Sequence, residues 1–215
     1  MWRTRARRKP CVVIVLDLEA TCERVGRPSP QEVIELSAVV VDVGTHTQIG
    51  SIQCYVRPTV HPRLSEFCTE LTGISQETVD AADAFPEALG RFERWLADYS
   101  DDAVFLTSGA WDLAVALPAQ AQVSGVALHP RFQRWLDIQD EFHALYRCPA
   151  HGLRGMMATL RITPQGRAHS GLVDCRNTAR VAIRMLRDGW RVPGLGWRAR
   201  ALRLADSPPE GLMRI

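Results

Sequence analysis

Cys11-Val12-Val13-Ile14-Val15-Leu16-Asp17-Leu18-Glu19 decides the fold. From Cys11 to Leu16 the side chains are apolar, most of them β-branched, and no polar residue marks a solvent face. Such a run reads as a central strand buried on both sides, over Cys11–Leu18. It ends in two carboxylates one residue apart. Strand alternation puts Asp17 and Glu19 on one face, about 7 Å apart along it. Bare carboxylates so placed repel, and a divalent cation between them removes the conflict, because hard cations take several carboxylate oxygens. An acidic strand end entering solvent is the other reading, and D-x-E alone does not choose between them.

Outward from this strand the pattern is mixed. Glu32–Val43 is a second β-rich run, Gly44–Thr47 a turn, and Ile49–Val56 a third strand, which together predict an antiparallel meander. Helical periodicity follows in Leu64–Thr72, Ser75–Ala81 and Phe85–Tyr99, the last with Phe85, Leu89, Phe92 and Leu96 on one face. Ala103–Thr107 is a short apolar strand. Trp111–Val123 is helical, with Pro118 expected to kink or interrupt it. Trp135–Ile138 is a fifth strand, and Glu141–Tyr146, Leu153–Leu160 and Leu172–Asp188 complete the helices. This order predicts an α/β protein with a mixed sheet. A basic arm over 1–10, one domain over 11–189 and an irregular basic tail over 190–215 are the expected divisions.

Composition excludes several classes. With 26 Lys+Arg against 24 Asp+Glu, the formal charge is only +2, so the body is not a polycation. The basic residues crowd the ends, at Arg3, Arg5, Arg7, Arg8 and Lys9 and again at Arg187, Arg191, Arg198, Arg200 and Arg203. They are either phosphate contacts or solvated tails. The six cysteines never form C-x-x-C, and are expected to be reduced thiols of an intracellular, cytoplasmic protein. No run has the length of a membrane span, and Val12–Leu16 is too short for a signal-peptide core. A transit peptide is cramped by a strand that begins at Cys11 or Val12.

Two further acidic positions bear on the D-x-E pair. Asp112 follows the strand Ala103–Thr107 and the turn Ser108-Gly109-Ala110, where a βα loop starts a helix. Alone it reads as a helix-start charge favoured by the dipole, but that edge of a sheet is also where α/β sites gather. His169 lies in the loop before the last helix, and Asp174 in that helix's first turns. Together Asp17, Glu19, Asp112 and Asp174 fit two divalent ions roughly 3.5–4 Å apart, the spacing used for phosphoryl displacement. A neutral histidine, with an ordinary pKa of about 6.5, supplies a general base for the attacking water.

The residues Asp17-Leu18-Glu19-Ala20-Thr21-Cys22, Glu32-Val33-Ile34-Glu35-Leu36, Leu71-Thr72-Gly73-Ile74, Trp111-Asp112-Leu113 and His169-Ser170-Gly171-Leu172-Val173-Asp174 carry a resemblance. With Asn177-Thr178-Ala179-Arg180 in the last helix, the chain resembles the DEDDh exonucleases of the ribonuclease H-like superfamily. Within them it is most similar to the Eri-type exonucleases, which include the enzyme that trims histone mRNA 3′ ends. The match covers roughly residues 11–189. It implies a ribonuclease H-like fold, with a five-stranded mixed sheet of a three-stranded antiparallel meander plus two parallel strands, flanked by helices.

The resemblance also implies roles. Asp17, Glu19, Asp112 and Asp174 would bind two Mg²⁺ or Mn²⁺ ions, and His169 would be the base of a 3′→5′ exonuclease acting on single-stranded RNA or DNA. Leu71 and Thr72 would help hold the terminal nucleotide. Backbone groups near Leu18 and Ala20 would recognise its 3′-hydroxyl. Phe67 and Trp111 would either stack on the terminal base or pack in the core. Some relatives carry an extra nucleic-acid-binding module or a zinc-finger region. With only about ten residues before the first strand, substrate choice is expected to come from the nuclease domain, its basic ends or a partner. The rival readings are a DNA exonuclease or oligoribonuclease on the same site, and a non-catalytic RNA-binding scaffold.

Overall fold

The computed structural model describes residues 11–195. Its centre is β1, Val12–Ala20, with β2, Val33–Asp42, antiparallel on one side and β3, Thr47–Tyr55, antiparallel beyond it. On the other side β4, Val104–Thr107, runs parallel to β1, and β5, Trp135–Asp137, parallel to β4. The sheet order β3-β2-β1-β4-β5 joins the meander read from the strand pattern to the two parallel strands that the resemblance implies.

Helices α1, Glu66–Thr72, α2, Gln76–Asp80, and α3, Phe85–Leu96, follow the meander. After β4 and β5 come α4, Leu117–Val123, α5, Ile138–Tyr146, α6, Gly152–Thr159, and α7, Gly171–Arg187. Among the described residues no helix is long and apolar enough to cross a membrane.

Alternation along β1 sorts the core into two layers. Val12, Ile14, Leu16 and Leu18 pack with Leu36, Ala38 and Val40 against Phe85, Leu89, Phe92 and Leu96 of α3. Val13 and Val15 pack with Val39 and Val41 against Cys175, Ala179, Ala182 and Met185 of α7. Small residues on this face of α7 let the helix lie close to the sheet. Each buried valine contributes roughly 1.5–3 kcal/mol. The same alternation carries Asp17 and Glu19 onto the α7 side, just past the apolar layer.

The structure departs from the periodicity in four places. β1 continues to Ala20, two residues past the expected Leu18, so Glu19 as well as Asp17 lies inside the strand. The segment from Trp111 to Val123 is interrupted as an α-helix, but just ahead of Pro118 and not at it. A π-helical turn over Asp112–Ala116 precedes α4, Pro118 falls in the first turn of α4, and the Leu117 N–H reaches the Asp112 carbonyl. A proline in a continuous α-helix clashes with the carbonyl four residues back, and the wider π turn removes that clash. α5 starts at Ile138, before the expected Glu141, because the Asp137 carboxylate caps it by accepting the Gln139 N–H at 2.9 Å. α3 ends at Leu96, short of Tyr99.

From the end of α7 to Leu195 the chain is irregular, but Trp190, Val192 and Leu195 are buried in the α7-side core, and Trp190 Nε1 donates to Glu141 at 2.8 Å. The packed unit therefore runs past Gly189. The basic arm 1–10 and the arginines Arg198, Arg200 and Arg203 lie outside the described residues.

Candidate active site

The α7 side of β1 and β2 gathers the acidic residues. Register places Asp17 opposite Ser37 and Glu19 opposite Glu35. Directly opposed like charges destabilise a sheet, so this end of β1 conflicts with the otherwise self-consistent strand. Asp112, buried in the turn after β4, accepts the Leu18 N–H on Oδ1 at 2.9 Å and is thereby tied to β1. Asp174, in the first turn of α7, accepts the His169 N–H on Oδ2 at 2.7 Å. That bond holds exposed His169 in a left-handed conformation, φ 59°, which a non-glycine residue adopts only when its surroundings impose it.

The four carboxylates act on one another. Burial, then Asp112, Glu19, Asp174 and Glu35, push Asp17 well above the carboxylate range. Burial, then Glu35, Asp174 and Asp112, raise Glu19 to about 8. Burial raises Asp112 to about 6 against the opposing Leu18 N–H. Burial also raises Asp174, opposed by the His169 N–H. Among the described residues none of the four forms an ion pair with Lys, Arg or His. No three ligating side chains already close on one coordination point there either. The donor set is all oxygen and dense in charge, opposed only at Asp174 by the fields of His169 and Arg154, which fits hard divalent ions.

These shifts fix the sign of a pH effect. Glu19 and Asp112 hold protons in the folded chain at pH values where the unfolded chain has lost them. Their contribution to stability is complete below about pH 4 and is lost as pH rises through about 6 and then about 8. Thermal melts in EDTA should therefore show this part of the stability falling from pH 5 to 8, with a flatter profile for Glu19→Gln. Equal slopes for the two proteins would remove Glu19 as the source.

Glu35 is a functional position that motif reading quoted without a role. Only 1% exposed, its Oε1 accepts Ser37 Oγ at 2.5 Å, Gln53 Nε2 at 2.9 Å and the Leu172 N–H at 3.1 Å. An anion thus sits at the N-terminus of α7 and sets where Asp174 and His169 begin. A Cβ at Gly171 would stand 2.8 Å from Glu35 Oε1 and 3.3 Å from Ser37 Cβ. Gly171→Ala is expected to lose about 1–3 kcal/mol by overpacking, read as a lower midpoint in denaturant unfolding. An unchanged midpoint would mean that α7 can retreat from Glu35. The detectable signal was a glutamate inside the β-rich run Val33–Val43.

The expected substrate residues divide. Phe67 is half-buried beneath the Arg24 guanidinium, 5.1 Å from the ring centroid. Trp111, half-buried, packs on the α3-side core. Thr72 is buried, and its hydroxyl donates to the Cys68 carbonyl at 2.8 Å and accepts the Ile74 N–H at 3.1 Å. The side chains of Leu18 and Ala20 are buried, and the Leu18 amide is committed to Asp112. Arg167, two residues before His169, donates to the carbonyls of Glu70 and Leu71 and lies over Gly73. It joins the Leu71–Gly73 segment to the His169 loop as a cation at a helix C-terminus. A separate cavity of about 640 Å³, lined in part by Cys54, Thr78, Asp83 and Arg91, contains none of the four carboxylates.

Residues 14–182 match the exonuclease (RNase_T) family. An alignment of 195 residues with ERI1 exoribonuclease 2 of Danio rerio shows 39% identity and covers 82% of this chain and 35% of that protein. One of 186 residues with 3′-5′ exoribonuclease 1 of Mus musculus shows 39% identity and covers 82% and 53%. The chain thus spans about a third to a half of the length of these curated relatives. The nuclease domain of 3′hExo, described as a DEDDh family member and solved bound to rAMP, superposes with a TM-score of 0.79. It is 35% identical, with 86% of this chain and 96% of that one covered.

Proposed function

The chain belongs to the exonuclease (RNase_T) family, and on that premise we propose that it is a 3′→5′ exoribonuclease releasing nucleoside 5′-monophosphates from single-stranded RNA. The observation that carries this reading is the meeting of Asp17, Glu19, Asp112 and Asp174 beside His169, with no ion pair to any of the four carboxylates among the described residues. The family is metal-dependent, and the four carboxylates would hold two Mg²⁺ or Mn²⁺ ions. When bound, such ions supply charge neutralisation and Lewis-acid activation at the scissile phosphate.

The chain's own residues do the remaining work. His169, exposed and anchored through its backbone N–H to Asp174, accepts the proton of the attacking water. Asp174 and Asp112, each holding a backbone N–H, keep their carboxylates oriented toward β1. Glu35 fixes the start of α7, and Arg167 ties the His169 loop to Leu71 and Thr72, which would line the terminal nucleotide with Phe67 and Trp111. Neutral imidazole is the form that can accept this proton. The similarity to a domain solved with rAMP supports RNA as substrate. Among the described residues no cysteine forms a disulfide, which supports a reducing, cytoplasmic setting.

Matched RNA and DNA oligonucleotides of several lengths, incubated with Mg²⁺ and analysed by chromatography, test the reading. Nucleoside 5′-monophosphates, formed faster from RNA, are expected. Faster attack on DNA would reassign the substrate, and internal fragments or 3′-monophosphates would contradict the exonuclease assignment.

A further inference from the structure

Just past the acidic end of β1 the chain enters a cleft of about 540 Å³ between two loops. One wall is residues 21–28 and the other residues 60–65, and the strand rise places Cys22 about 10 Å beyond Glu19. The walls are built, not draped. Buried Glu32 accepts the N–H groups of Thr59, Val60 and His61 at 2.7–3.0 Å and the Thr59 hydroxyl at 3.2 Å. His61 Nε2 lies 3.2 Å from the Ser29 carbonyl, and Ser65 Oγ donates to the Cys22 carbonyl at 2.7 Å.

The lining is cationic and apolar at once. Arg27 and Arg63 are exposed and form no ion pair among the described residues, whereas neighbouring Arg24 pairs with Glu70 at 3.1 Å. Glu23 is the one acid in the lining. Val25 and Val60, 89% and 49% exposed, are two of the five exposed large apolar side chains of the described residues, and both belong to this cleft. A free inorganic anion makes no use of the valines, whereas single-stranded nucleic acid offers both phosphates and base faces. Arg24, over the Phe67 ring, connects the cleft with α1 and hence with Leu71 and Thr72.

We propose that this cleft binds the RNA strand just upstream of its 3′-terminal residues, with Arg27 and Arg63 on its phosphates and Val25 and Val60 against its bases. The proposal rests on the exonuclease reading for where the 3′ end lies. It makes the cleft the surface that favours long single strands over short ones.

Fluorescence anisotropy with a phosphorothioate-protected, 5′-labelled RNA decanucleotide and dinucleotide tests it. The Arg27→Ala/Arg63→Ala protein is compared with wild type and with Arg91→Ala/Arg94→Ala on α3, which removes the same charge elsewhere. The cleft variant should bind the decanucleotide about tenfold more weakly. Its plot of log affinity against log salt should be shallower by about 1.4, for two phosphates lost. Dinucleotide binding should be the same in all three proteins. Wild-type affinity and slope in the cleft variant, or an equal loss in the control, would overturn the proposal. Cleavage by wild type is scored separately: cleft-dependent binding without cleavage supports the cleft and contradicts the exonuclease reading.

Discussion

Asp17→Asn is expected to lower kcat by about 10³-fold or more, because it removes a charge that no neighbour replaces at the centre of the acidic set. Its effect on stability should have the opposite sign. Asp17 is pushed above the carboxylate range by burial and by four surrounding acids, so the isosteric amide relieves repulsion, and the EDTA form should melt several degrees higher. Wild type should gain about 2.7 kcal/mol from Mg²⁺ at a hundred times its Kd, roughly 5–10 °C for a domain of this size. The variant should lose most of that gain. Differential scanning calorimetry with and without Mg²⁺ measures both. A lower melting temperature in EDTA would mean that Asp17 is held by attractive contacts and is not under repulsion.

His169→Ala should separate chemistry from metal binding. Loss of a positioned general base costs typically 10²–10⁴-fold in rate, and a fall in kcat of that size is expected. The tie between residue 169 and Asp174 runs through the backbone N–H, so the substitution leaves Asp174 anchored. The Mg²⁺-induced rise in melting temperature should therefore survive, unlike in Asp17→Asn. A His169→Ala protein that loses the Mg²⁺ response would make the imidazole a ligand and not a base.

The legible parts of this protein were those written in local pattern. β1 and β2 announce themselves by β-branched runs, and α3 by the spacing of Phe85, Leu89, Phe92 and Leu96, because burial on a face leaves a period in the sequence. Asp17, Glu19, Asp112, His169 and Asp174 could be singled out because the first two close the apolar run of β1 and the others stand beside turns and helix starts. What was not legible depends on partners far along the chain. Glu35 reads as one polar residue in a strand, and only the folded chain brings it Gln53 from β3 and Leu172 from α7.

Other misses have the same cause at shorter range. Pro118 was expected to kink or interrupt a helix, and the interruption falls in the π turn just before it. The cap from Asp137 that starts α5 at once after β5 leaves no loop residues to mark the boundary. The cleft at Arg27 and Arg63 joins two loops more than thirty residues apart in sequence, and neither is distinctive alone.

The central claim is that the acidic set with His169 forms a metal-dependent centre that shortens RNA from its 3′ end. Single-stranded RNA labelled at the 5′ end, incubated with Mg²⁺ or EDTA beside the Asp17→Asn protein, tests it most directly on a sequencing gel. A ladder that shortens one nucleotide at a time from the 3′ end, present only in wild type with Mg²⁺, is the predicted result. A ladder that persists in EDTA or in Asp17→Asn, or intact RNA in every lane, would contradict it.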